Sequence, residues 1–434
     1  MSLTVYHDRR SRLLTTLPEG TIAILPAARQ VVRSRDTHFP FRQDSDFWYL
    51  TGFPESDAVL VMIPGRSPAQ VILFCHEPDP KTALWEGERI GPERAVSEFG
   101  FDDAFPLSDI DDILPGLMEG REHVYFTFGV HRDIDQKILA LMAHLREHAG
   151  ALLHVPSDLV DLGRLIHEMR LIKDPGELDL MRSAAEISVE AHKAAMRAAR
   201  SGVYEYQLEA ELNYVFARAG ARSPAYPAIV GSGENACILH YSANDKCLRD
   251  GELVLIDAGC EYQMYASDIT RTFPVSGVFS GPQRDLYEVV LRAQEAAINA
   301  LAPGRSWQDS HIASVAVITE GLLELGILQG ELNELIETAA CQRYYMHRVG
   351  HWLGLDVHDV GDYQEAGRWR NLAPGMVTTV EPGIYIPSSC AEVAEQWRGL
   401  GIRIEDDVVL TETGVELLTS GAPKTVEEIE SWMR

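Results

Sequence analysis

Four acidic residues stand where apolar strands would not ordinarily carry them. Asp257 ends the run LVLID, and Asp268 opens SDITRTF eleven residues later. Glu381 ends MVTTVE, and Glu405 lies inside GIRIEDDVVL. A hairpin centred near Tyr262-Gln263 would put Asp257 directly opposite Asp268. Opposed carboxylates cost up to about 1 kcal/mol unless something neutralises them. For an acid embedded in VLIDAG, solvent is a weaker remedy than a cation. In the last segment, strand alternation turns Ile402 and Ile404 to one face and Arg403 and Glu405 to the other. Between the two acid groups, MHRVGHWLGLDVHD places His347, His351 and His358 within twelve residues. One histidine there reads as a packed core residue; three among so many glycines point to a site.

His347 and His351 are four apart, the spacing of the two histidines of a zincin helix. Position 348 is Arg rather than Glu, however, and Gly350 and Gly354 disfavour a helix, so that motif is rejected. One histidine with four carboxylates is an oxygen-rich donor set. It suits Mn²⁺, or Co²⁺ or Fe²⁺, better than a thiolate-type zinc site, with Zn²⁺ a further option. Four carboxylates also suggest two divalent ions, because bridging carboxylates let neighbouring cations share charge.

The elements that must hold these residues fall into two regions. In the first ~170 residues, TIAILPAA, AVLVMIPG, QVILFC and HVYFTFG are of strand length, and DQKILALMAHLREHAG has helical spacing. This predicts a smaller N-terminal α/β domain over residues 1–172. A long helical stretch follows, interrupted at Asp174-Pro175-Gly176, and the domain boundary is placed near Lys173. Residues 173–434 then alternate helices (Tyr204–Ala219, Gln283–Leu301, His311–Leu325) with hairpin-like segments, the α+β pattern. Each half of this region supplies a β segment carrying acids.

Composition narrows the function. The chain has 434 residues, 46% hydrophobic and 24% charged, and a formal charge of −27. Such an acidic balance argues against a nucleic-acid surface. It reads as solubility, or as carboxylates gathered round cations. No run approaches the ~20 apolar residues of a membrane helix. The charged N-terminus MSLTVYHDRRSRLLTTLPEG lacks a signal-peptide core. The expectation is a cytoplasmic protein without membrane partners, whose six cysteines, with no CxxC pair, remain reduced.

The ordered set Asp257, Asp268, His351, Glu381, Glu405 resembles the pita-bread metallopeptidases. The phrases GSGENACILHY, VLIDAGCEYQMYASDITRTFPV, HWLGLDVHDVG, VEPGIYI and RGLGIRIEDDVVLTETG are similar to those of bacterial Xaa-Pro aminopeptidases (the aminopeptidase P group), as is SRDTHFPFRQDSDFWYLTGF near the N-terminus. The resemblance covers nearly the whole chain. It implies a pseudo-two-fold catalytic domain and a two-metal centre bridged by Asp268 and Glu405. Asp257 would complete one ion's shell, and His351 with Glu381 the other's. His240, His347 and His358 match histidines that surround the metals and contact substrate, and Arg403 matches an arginine beside the bridging glutamate. One departure is Arg348-Val349-Gly350, where relatives carry small or apolar residues before the ligand.

The activity implied is hydrolysis of the bond between an N-terminal residue and a following proline, by a hydroxide shared between the metals. That bond is a tertiary amide whose nitrogen lacks a proton and whose ring restricts its neighbours. Glu381 is assigned as proton shuttle, and His358 and His240 as holders of the carbonyl oxygen and peptide backbone. A metal-bound carboxylate such as Asp257 suits the free amine. The resemblance also implies a homo-oligomer, dimer or tetramer, whose N-terminal domains cap a neighbour's site, with Asp36 and Trp85 at matching positions. Trp85 reads equally well as an ordinary loop tryptophan. Tyr363 and Tyr385 are candidates to line the proline-ring pocket, Tyr385 equally as a packed strand residue. The nearest rival is a prolidase, which takes Xaa-Pro dipeptides and shares all five ligands. A non-catalytic pita-bread binding protein, or a metal-free creatinase-like enzyme, should lack part of the acid set.

Overall fold

The computed structural model describes residues 3–148 and 154–434. The chain divides into two compact units after Met169, within the helix Gly163–Leu171. The last two residues of the expected helix DQKILALMAHLREHAG lie outside the described residues; the rest belongs to Arg132–His148.

The N-terminal unit is built on a six-stranded sheet, with strands in the order Asp103–Pro106, Val71–Cys75, Val59–Met62, Thr21–Pro26, His123–Phe126, Asp158–Asp161. The central Thr21–Pro26 pairs antiparallel with Val59–Met62 and parallel with His123–Phe126. Its Ile22 and Ile24 pack with Val61, Ile72 and Phe74 under Ile138 and Met142 of the long helix. These are the apolar runs of the sequence, buried on both faces as strands covered by helices must be.

The C-terminal unit is α+β, and every strand pair in it is antiparallel. Helix Pro175–Ala198 packs on Glu205–Arg218, and Gly281–Ala300 on Trp307–Glu324. The first of these starts where the sequence breaks: Asp174 caps it, its side chain accepting from Glu177 N at 3.0 Å, while the Glu177 carboxylate accepts from Asp174 N. Strand Leu253–Asp257 divides its side chains between two clusters. Val254 and Ile256 join Ala184, Leu212, Leu286, Ile384 and Ile402, whereas Leu255 packs with Ile229, Ala236 and Tyr385. Among the described residues, no helix is long and apolar enough to cross a membrane. All six cysteines are unpaired.

The hairpin register differs from the expected one. Asp257 pairs with Thr270 rather than Asp268, because the turn is centred on Gln263-Met264, one residue later. Both turn residues have positive φ (48° and 76°), the twist a two-residue hairpin favours. Asp257 and Asp268 are therefore diagonal neighbours on one face, still within reach of a shared partner. In the other half, Val377–Val380 pairs with Asp406–Leu410 and Gly383–Ile386 with Leu400–Arg403 in one continuous register. That register sets Glu381 opposite Glu405 where the two ladders part.

Candidate metal centre

The two halves are sewn together at the acids. Glu405 N donates to Thr270 O at 3.0 Å, and Thr270 Oγ1 donates to a Glu405 carboxylate oxygen at 2.7 Å. Fully buried Arg271 donates to the Glu405 carbonyl at 2.5 Å and to Asp406 at 2.7 Å. Asp406 also receives Lys424 at 2.8 Å. The backbone beneath Glu405 is thereby fixed by a buried ion-pair group, leaving its side chain to face the other acids.

Donor atoms of Asp268, His351 and Glu405 lie within 4.8 Å of one another. His351 Nε2 is 3.4 Å from Asp268 and 3.7 Å from Glu381. Its Nδ1 donates to Trp352 O at 2.9 Å, which fixes the ring and leaves Nε2 turned to the carboxylates. Asp257 receives Arg403 Nη2 at 2.6 Å and the Tyr226 hydroxyl at 2.6 Å. Tyr226 also bonds Asp268, so one hydroxyl spans both acids.

These buried carboxylates outnumber the cations beside them. Burial, with Asp268 and Glu381 nearby, pushes Glu405 well above the usual carboxylate range. Burial likewise raises Asp257, against the pull of Arg403, and lifts Glu381 to about 7. Burial alone would depress His351, but the hydrogen bond to Asp268 and the charge of Glu381 prevail and raise it to about 9. Burial opposes ionisation of Asp268 too, but the His351 hydrogen bond and charge and the Tyr226 hydroxyl hold it below the usual carboxylate range. Asp257, Glu381 and Glu405 hold on to protons for want of positive charge, which is the condition a divalent cation relieves. Four carboxylates and one correctly turned imidazole, with no thiolate, fit such an ion.

The acids open onto a cavity of about 940 Å³. His240, His347, His358, Tyr363 and Arg403 line it along with the five candidate ligands. The His358 ring sits edge-on to His351, with centroids 4.3 Å apart. His347 donates from Nδ1 to Arg348 O at 2.8 Å and pairs through Nε2 with the Tyr385 hydroxyl at 2.9 Å. Burial and the nearby Arg403 push it down to about 4, so it is neutral. His347 is thus positioned by the backbone of Arg348, and the side chain at that position is free to do something else. Its neighbour Gly350 must be glycine: a Cβ there would lie 2.0 Å from Thr379 O. At Gly354 a Cβ would instead meet a side chain, 2.2 Å from the Asp359 carboxylate. Close approach, and not only helix avoidance, explains the glycines around His351.

Tyr385 is placed differently from the pocket-lining expectation. It is fully buried behind His347, its hydroxyl accepting from Arg403 Nη1 at 2.9 Å. The reason is strand alternation, which aims it inward from Gly383–Ile386 into the cluster with Leu255. Tyr363 does line the cavity, stacked on Trp352 with centroids 5.2 Å apart and accepting from Trp352 N. Asp36 lies at the turn of the short hairpin Val32–Ser34/Thr37–His38, and Trp85 is 86% exposed on the helix Pro80–Glu86. Both belong to the N-terminal unit, whereas the cavity lining comes from the C-terminal one. Tyr226, Trp307 and Trp369 also line the cavity, and sequence reasoning missed them. Tyr226 sits between two prolines in SPAYPAIV with no periodic signal. The tryptophans are far apart in sequence and meet only in the fold.

Paired antiparallel strands under helix pairs, with a buried acid cluster and one imidazole at a wide cavity, define a metal-dependent hydrolase. The sequence pattern of metallopeptidase family M24 matches residues 179–412, and that of the aminopeptidase P N-terminal domain matches residues 6–125. The chain is 46% identical over 429 residues to the Xaa-Pro aminopeptidase of Escherichia coli K12, covering 99% of this chain and 97% of that one. Its structure is similar to that of Pseudomonas aeruginosa aminopeptidase PepP, with a TM-score of 0.98, 52% identity and coverage of 100% and 98%. It is similar also to E. coli aminopeptidase P with the inhibitor Pro-Leu, at a TM-score of 0.96, 46% identity and the same coverage. The chain belongs to metallopeptidase family M24.

Proposed function

We propose that this chain removes the N-terminal residue from peptides whose second residue is proline, using two divalent ions, of which Mn²⁺ suits the donor set best. The observation that carries the reading is the convergence of Asp268, His351 and Glu405 within 4.8 Å, flanked by Asp257 and Glu381, in a chain that matches Xaa-Pro aminopeptidases over its whole length. Asp268, His351 and Glu405, with Asp257 and Glu381 beside them, would hold the ions. When bound, the ions supply an activated water and a Lewis acid for the scissile carbonyl.

The chain's own residues do the rest. Glu381, its backbone N held by Val349 O at 2.7 Å, takes the proton of the attacking water and passes it to the leaving proline nitrogen. His358 and His240 stand in the cavity wall to hold the carbonyl oxygen and the peptide backbone. His347, neutral and fixed between Arg348 O and Tyr385, keeps its place beside Glu381 without adding charge. Arg403 donates to Asp257 and pulls it toward ionisation against its burial, and the carboxylate oxygens left free of the ions would receive the free ammonium of the substrate. Tyr363 supplies an aromatic face for the proline ring.

The exposed apolar side chains Val31, Val32, Phe39, Leu84 and Trp85 of the N-terminal unit support a role for it in assembly, with Asp36 and Trp85 covering the site of a neighbouring copy. Complete chelation should abolish hydrolysis of an Xaa-Pro-Xaa peptide, and Mn²⁺ should restore it. Hydrolysis that survives complete metal removal would overturn the reading.

A further inference from the structure

Two arginines line the cavity, and they are in opposite circumstances. Arg403 is buried and committed, to Asp257 at 2.6 Å and to Tyr385 at 2.9 Å. Arg348 is exposed to the cavity and, among the described residues, has no carboxylate within ion-pair distance. Its guanidinium lies 5.0 Å from the centroid of the Trp369 ring, and Nη1 donates to Gln308 Oε1 at 3.3 Å. Trp369 is itself stacked on Trp307, with centroids 5.7 Å apart at 22°. The guanidinium therefore rests on a braced aromatic platform, which limits its rotamers and leaves most of its five N–H donors without a protein acceptor.

We propose that Arg348 is a specificity-determining residue that receives a carboxylate on the leaving side of the substrate, beyond proline. This rests on the peptidase reading above and deepens it. A peptide is a dipole with a cationic N-terminus, and the cavity is a dipole as well. Carboxylate oxygens of Asp257, Asp268, Glu381 and Glu405 left free of the ions would accept hydrogen bonds from the ammonium at one end. Arg348 repels it and attracts negative charge. The chain of a substrate bound with its amine at the acids then runs toward Arg348. The carboxylate has two possible sources, the C-terminus of a tripeptide or an acidic side chain at the third residue. A planar guanidinium held over a ring presents paired donors that match either one.

The test compares wild-type enzyme with R348Q and R348K, loaded with Mn²⁺, on three peptides: Ala-Pro-Ala as free acid, Ala-Pro-Ala amide, and Ala-Pro-Asp amide. For wild type, kcat/KM on a carboxylate-bearing peptide should exceed that on the neutral amide by about fivefold, mostly through KM, as a partly screened charge pair gives. The preference should fall toward one in R348Q, survive in part in R348K, and shrink with added salt. Preference for the free acid assigns the C-terminus as the source, and preference for the Asp peptide assigns the side chain. A structural role alone would shift all three peptides together. An unchanged ratio in R348Q, or no preference in wild type, overturns the proposal. Failure of wild type to cleave any of the three would instead overturn the peptidase reading, and this proposal with it.

Discussion

Arg403 donates to Asp257 at 2.6 Å, joining the strand Leu400–Arg403 of one half of the C-terminal unit to the strand Leu253–Asp257 of the other. Both side chains are nearly shut off from solvent. Each charge needs the other: removing one partner of a buried pair typically costs about 3–5 kcal/mol. Arg403→Met should lower the unfolding midpoint and leave Asp257 protonated, with metal content falling alongside activity. Elemental analysis of the purified variant checks this. Normal metal content with normal stability would mean the bond is dispensable.

The hydroxyl of Tyr226 spans Asp257 and Asp268. Tyr226→Phe removes that O–H and little volume. Loss of a group that orients ligands typically weakens metal affinity by about 10- to 100-fold. Competition titration against a chelator should find a loss of that order, and wild-type affinity would show that the acids need no such orientation.

Glu381→Gln keeps the shape of the side chain but cannot shuttle a proton. Activity should fall by about 10²–10⁴, the usual reach of general acid–base catalysis. Full activity with normal metal content would remove Glu381 from the shuttle role. Reduced metal content would show that its ligand role dominates.

Gly350→Ala places a methyl group 2.0 Å from Thr379 O, one residue before His351. Overpacking of this kind costs about 1–3 kcal/mol, and backbone movement would swing His351 away from Asp268. Calorimetry and metal analysis together should show losses in both. A variant stable and fully loaded would mean that the segment can shift at no cost.

His192 reports on the pH dependence of folding. Burial pushes it down to about 4, although its Nε2 donates to Ala258 O at 2.9 Å. The unfolded chain takes up this proton near pH 6.5 and the folded one only near 4. Stability from this group is therefore full above pH 6.5 and is lost as pH falls from 6.5 to 4. Urea midpoints of wild type should drop more steeply across that window than those of His192→Leu. Parallel curves would contradict the assignment.

The site was legible where residue type conflicted with surroundings. Asp257, Asp268, Glu381 and Glu405 interrupt apolar strands, and His351 lies among glycines that no helix would choose. The long central strands and helices declared themselves by periodicity. What stayed hidden depended on geometry that the sequence does not spell out. The turn at Gln263-Met264 carries no glycine, so its positive φ values, and with them the register of Asp257, could not be anticipated. The edge strands Asp103–Pro106 and Asp158–Asp161 are at most half-buried and lack apolar runs. Tyr226 and the pair Trp307–Trp369 have meaning only once distant segments meet.

The proposed activity is cleavage before a proline in second position, with peptide continuing beyond it. The most direct measurement is the product analysis of Mn²⁺-loaded enzyme given Ala-Pro-Ala, Ala-Pro and Ala-Ala-Ala side by side. Alanine should be released from Ala-Pro-Ala, leaving Pro-Ala, with little turnover of Ala-Ala-Ala. Cleavage of the dipeptide Ala-Pro alone would contradict it and make the chain a prolidase.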